Sequence, residues 1–227
     1  MSTLPQPLLD RDLRDLREGL LRLAGQVEAQ IERATFALRR LDEGGARELQ
    51  REDRRINEAQ GVLRERCFAI IATRRPDDRA LRLLMSIQYI CVELERMGDY
   101  AARMARRTCV LAGLPTRAPL RAEFGLMGEL ATQQVRDILD ALIETDAERA
   151  REIAAQDAQI DRLYDRAFDE VVQELATRGA EEEGSDRVLR AVTLLQVAHD
   201  LERIGDRVTN VAEDIVFLET GEVVELG

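Results

Sequence analysis

The chain has 227 residues with 33 basic and 44 acidic side chains, a net charge of −11, and every basic residue is Arg. Apolar residues make up 45%, enough to bury a core, which excludes a disordered chain. The acidic balance disfavours nucleic acid, anionic membrane surfaces and free phosphate as direct ligands.

Met1–Asp12 carries no apolar stretch of the signal-peptide kind. No apolar run reaches the ~20 residues of a membrane span, so direct insertion is not expected. Cys67, Cys91 and Cys109 lie far apart without a C-x-x-C, a usage expected of reduced thiols in a cytoplasmic protein.

Breaks divide the chain into six long segments with helical apolar spacing. The first runs to Gly44–Gly45, which suit a left-handed helix cap. The second carries Asp53 and Asn57 four residues apart and stops within Thr73–Asp78. The third opens on Asp77–Asp78, acceptors for free N–H groups, and carries Glu95, Gly98 and Asp99 before Gly113–Pro119. The fourth runs to Thr145, where Thr145 and Glu148 read as a capping box. The fifth sets Ile160, Leu163, Ala167, Val171 and Leu175 on one face and the acidic column Asp157, Asp161, Asp165 and Asp169 on another. The sixth follows Arg178–Asp186 and carries Glu202, Gly205 and Asp206. Residues 221–227 are expected to be extended or disordered. Leu81, Leu84, Leu94, Leu189, Val192 and Leu201 are expected in the core.

The chain repeats itself. L-E-R-M-G-D, from Leu94 to Asp99, recurs as L-E-R-I-G-D, from Leu201 to Asp206. Laying the first half on the second also pairs Gln30 with Gln134, Ala37 with Ala141, Asp42 with Asp146, Asp53 with Asp157 and Asn57 with Asp161. The fold class is therefore all-α, a tandem duplication of a three-helix bundle. The first repeat spans 1–113, a linker 114–119, and the second repeat 120–227. Each repeat is expected to bury a core of its own.

Glu95 with Asp99, Glu202 with Asp206 and Asp157 with Asp161 each share a helix face. Like charges at that spacing repel mildly, so such columns suit a bound cation, and oxygen donors suit hard divalent or carboxylate-bridged iron-type ions. The same columns also suit a solvated face held by Arg96, Arg103, Arg162, Arg166, Arg203 and Arg207. Gly98 and Gly205 weaken strong helices by about 1 kcal/mol each, which points to close approach by a neighbouring helix or a ligand. A ferritin-like di-iron centre needs Glu-x-x-His on two helices. His199 is the sole histidine, and Gln196 stands where that motif needs Glu. No P-loop, dinucleotide fingerprint or nucleophile triad is present in the sequence, so no catalytic residues are assigned and no enzyme is expected.

The two L-E-R-[MI]-G-D motifs, with R-R-P-D-D-R-A-L-R before the first and G-D-R-V-T-N-V-A-E-D-I running on from the second, resemble the PhoU family of phosphate-uptake regulators. The likeness covers about Leu13 to Gly221. It implies two three-helix bundles about a pseudo-twofold axis. It implies metal at E(D)-x-x-x-D motifs, which fall here on Glu95 with Asp99, Glu202 with Asp206 and Asp157 with Asp161. The fourth place departs, with Asp53 and Asn57, and Asn210 follows Asp206 where the first half has Arg103. An ion pair from Arg103 to Asp99 and the missing carboxylate predict weaker metal binding in the first half. The likeness also implies a cytoplasmic negative regulator between a phosphate ABC transporter, through its ATPase subunit, and a sensor histidine kinase, with a homodimer allowed. The alternative from another class is a carboxylate-bound metal enzyme or a metal-storage bundle.

Overall fold

The computed structural model describes residues 6–115, 122–177 and 184–227, with the side chains of Gln6, Pro7, Asp53 and Glu174 outside that description. The helices are α1 (Gln6–Arg40), α2 (Glu43–Arg74), α3 (Asp78–Gly113), α4 (Ala122–Glu144), α5 (Ala147–Ala154), α6 (Ala158–Thr177) and α7 (Gly184–Thr220). All six expected segments are present, the fifth divided into α5 and α6. No strand occurs among the described residues. The linker expected at 114–119 lies largely outside them. Leu114 closes α3 with its N–H on the Leu111 carbonyl at 3.4 Å.

The duplication is visible in its corners. At the end of α1, Asp42 N–H reaches the Ala37 carbonyl and Leu41 N–H the Leu38 carbonyl. At the end of α4, Asp146 reaches Ala141 and Thr145 reaches Leu142. These are paired Schellman caps. Asp42 then caps α2 by accepting from Gly45 N–H at 3.1 Å, and Asp146 caps α5 by accepting from Arg149 N–H at 2.9 Å. Two expectations are corrected. Gly44 and Gly45 lie inside α2, and the left-handed residue is Leu41, at φ 49°. Thr145 is left-handed too, at φ 56°, so the cap of α5 is Asp146 rather than a Thr145 box. A left-handed non-Gly residue costs roughly 1–2 kcal/mol. Thr145→Gly is therefore expected to stabilise the protein by about 1 kcal/mol in urea unfolding. Asp77 caps α3 as expected, accepting from Ala80 N–H at 2.9 Å.

α1, α2 and α3 form one unit, α4 to α7 the other, and α3 packs along α7 between them. The apolar core is continuous across both units, from Leu16 and Leu23 through Leu94 and Met97 to Leu201 and Ile215. The separate cores expected from the repeat are thus joined. Leu84, Leu94 and Leu201 are buried as expected. Leu81, Leu189 and Val192 are not. Leu83, Leu84 and Ile87 take the inner stripe of α3, which leaves Leu81 on its flank. α7 has 37 residues and α4 has 23, so at about 1.5 Å per residue α7 outruns α4 by roughly 20 Å. Leu189 and Val192 lie in the first turns of α7, which starts at Gly184, and are exposed. No helix among the described residues is long and apolar enough to cross a membrane.

Candidate functional site

α2 passes Asp53 unbroken, whereas its counterpart is interrupted at 155–157, where tight turns bring Asp157 N–H to the Ala154 carbonyl at 3.1 Å. The interruption tucks the Asp157 carboxylate against α7. Its Oδ1 is buried without a hydrogen-bond partner. A Cβ on residue 205 would overlap that oxygen, so a larger residue there would have to displace the Asp157 carboxylate. The close approach expected at Gly205 is an acidic side chain from the break between α5 and α6. At Gly98 the neighbour is Ile56, 3.1 Å from where a Cβ would stand.

Asp161 follows Asp157 by one turn on α6, and α7 presents Glu202, Asp206 and Asn210. Burial first, then repulsion from Asp161, Asp206 and Glu202, together push the Asp157 carboxyl up to about 7. Burial and Asp206 also raise Asp161 and Glu202. These four acids therefore lie close enough to repel one another. Asp157, Asp161, Asp206 and Asn210 line a cavity of about 840 Å³. Arginine is present as well. Arg203 pairs with Asp206, and Arg207 lies 3.9 Å from it and 3.2 Å from Glu93. His199 Nδ1 faces Glu202 at 3.4 Å, while burial and the guanidinium groups of Arg203 and Arg107 lower the pKa of its ring.

In the first half Glu95 and Asp99 are half-buried on α3 and Asn57 is exposed on α2. Glu95 lies 3.8 Å from Arg96. The expected Arg103–Asp99 ion pair is absent. Arg103 instead stacks over the Tyr100 ring at 4.9 Å, a cation–π contact that holds its guanidinium. Arginine thus reaches both sites, through Arg96 at Glu95 in the first and through Arg203 and Arg207 at Asp206 in the second.

The donor set fits a hard cation in the second half: oxygen donors, a buried and unpartnered carboxylate oxygen, and mutual repulsion that a cation would relieve. As the side chains stand, no group of three or more His, Cys, Asp or Glu among the described residues converges to hold an ion. Sequence reading missed three features beside it. Glu213 continues the column Glu202, Asp206, Asn210 at helical spacing, and that spacing was the available signal. Asp214 is pushed up to about 7 by burial, and by Glu93 and Glu213. Arg107 pairs with Asp200, which is 1% exposed, across the α3–α7 contact.

The chain is a duplicated helical bundle whose two units carry acidic faces at equivalent places. It belongs to the PhoU domain family, whose signature matches residues 20–108 and 124–215. It is 34% identical to the phosphate-specific transport system accessory protein PhoU homolog of Pseudomonas putida, over 92% of this chain and 80% of that one. It is 31% identical to the phosphate-specific transport system accessory protein PhoU of Escherichia coli, over 93% and 85%. The crystal structure of the phosphate transport system regulatory protein PhoU from Streptococcus pneumoniae superposes with a TM-score of 0.87 at 29% identity, covering 96% of this chain and 100% of that one. PhoU from Pseudomonas aeruginosa gives 0.85 at 33%, covering 94% and 99%.

Proposed function

We propose that this protein regulates phosphate uptake as a cytoplasmic adaptor, linking the ATPase subunit of a phosphate ABC transporter to a sensor histidine kinase as a negative regulator. The observation that supports this most is the match of both halves to relatives named as phosphate transport accessory proteins. The acidic, mostly helical surface suits protein partners rather than nucleic acid. The repeats, 1–113 and 120–227 joined through 114–119, offer two related faces for two partners. The test is deletion of the gene, with phosphate accumulation and starvation-gene expression measured in phosphate-rich medium. Accumulation and derepression that this chain reverses support the reading. A deletion strain indistinguishable from its parent overturns it.

The metal role belongs to the same reading. Asp157, Asp161, Glu202, Asp206 and Asn210 would hold a divalent or iron-type cation, which would neutralise their repulsion and tie α6 to α7. Asp53, Asn57, Glu95 and Asp99 form the poorer set, with three carboxylates. Glu202→Gln/Asp206→Asn is expected to remove most of the bound metal, and Glu95→Gln/Asp99→Asn little of it. Elemental analysis of untagged protein checks this. The reverse order would refute the asymmetry, and no change in either variant would leave only arginine-held acidic faces.

A further inference from the structure

Residues 221–227 follow α7 and pack back on it. Gly221 turns the chain at φ +80°, where a side chain would be strained. Beyond it the chain alternates: Val223 is 88% exposed, whereas Val224 and Leu226 are half-buried. Leu226 packs on the core, and its N–H donates to Glu213 Oε1 at 2.9 Å. A Cβ at Gly227 would stand 3.3 Å from the Thr209 side chain. Val224 to Gly227 form one wall of the same 840 Å³ cavity whose other wall carries Asp157, Asp161, Asp206 and Asn210.

We propose that segment 221–227 is a movable wall of the second acidic site, held down when a divalent cation occupies the cavity and released when it is empty. The inference rests on the cation reading given above. The segment brings Glu225 to the cavity lined by Asp157, Asp161, Asp206 and Glu213, so its docking adds like charge to like charge. The Val224 and Leu226 contacts, the Leu226–Glu213 hydrogen bond, the Arg207 guanidinium in the cavity lining and Arg82 beside Gly221 oppose that repulsion. A cation in the cavity removes it. Coupling of this kind is reciprocal: the factor by which the cation favours docking is the factor by which docking favours the cation.

Mn²⁺ serves as the probe. Its binding is titrated on the full chain and on a chain lacking 222–227, and a Glu-specific protease is used to follow cleavage after Glu222. Deletion is expected to weaken Mn²⁺ binding by about fivefold or more, and Mn²⁺ to slow cleavage by a similar factor. Glu225→Gln, at an exposed side chain, keeps the segment and reduces the repulsion. It is expected to make cleavage slower without Mn²⁺ and less dependent on it. Equal Mn²⁺ affinity in the full and shortened chains, or cleavage indifferent to Mn²⁺, overturns the proposal while leaving the cation site intact. Failure of the full chain to bind Mn²⁺ overturns the cation reading and this proposal with it.

Discussion

Arg107→Ala is expected to cost about 3–5 kcal/mol of stability, the largest single-residue effect among these variants. Asp200 is 1% exposed, and Arg107 is its ion-pair partner across the α3–α7 contact. Truncating the arginine strands a buried carboxylate that water cannot reach. The cost is therefore the desolvation of a lone charge, not the net worth of the pair. Two corollaries follow. Stranded Asp200 escapes the penalty by taking a proton, so the loss shrinks in acid. Removing both charges, as Arg107→Leu/Asp200→Leu, restores most of the stability, because well-packed apolar replacements of buried pairs are commonly neutral or better. Urea unfolding at about pH 7 and about pH 5 measures all three. A loss below about 1 kcal/mol for Arg107→Ala, or a double variant no better than the single, would show that the pair is solvated in solution.

That pair was not legible in the sequence, and the reason is physical. Local spacing reports which residues share a face of one helix. It does not report how two helices far apart in the chain meet. Arg107 with Asp200 and Arg207 with Glu93 both join α3 to α7. The helices themselves were legible, because apolar spacing and the Asp77 cap are local. So was the duplication, since Leu94–Asp99 and Leu201–Asp206 state it outright. Gly205 was legible as a close approach, but not its occupant: Asp157 reaches it only because the helix breaks at 155–157, and no Gly or Pro marks that break. Arg103 was misread for a related reason. A partner four residues back competes with the ring of Tyr100, and the ring holds it. The return of 221–227 over the cavity depends on Leu226 finding Glu213, a contact with no sequence period behind it.

In protein freed of divalent cations, stability is expected to fall as pH rises from about 5 to about 8, because folding raises acid pKa values here. Asp157 and Asp214 titrate near 7 in the folded chain against an ordinary 3.8. Between those values the folded state keeps protons that the unfolded chain has released. Stability from these groups is thus complete below about pH 4 and lost as pH passes about 7. Asp157, in the break before α6, faces Asp161 on α6 and Asp206 and Glu202 on α7. Asp214 faces Glu93 on α3, with Glu213 beside it. A fully shifted proton changes stability by about 1.4 kcal/mol per pH unit, and the solvent reaching half-buried Asp157 makes its share smaller. Asp157→Asn and Asp214→Asn should each flatten part of the decline, since an amide binds no proton in either state. Mn²⁺ at about pH 8 should restore the Asp157 share, where it relieves the repulsion, and leave the Asp214 share lost. Denaturant unfolding across this range in chelator, then with Mn²⁺, separates the two. Stability that rises with pH in chelator, or a decline that Asp157→Asn leaves unchanged, would mean that the acidic cluster is already ionised and hydrated in the folded chain.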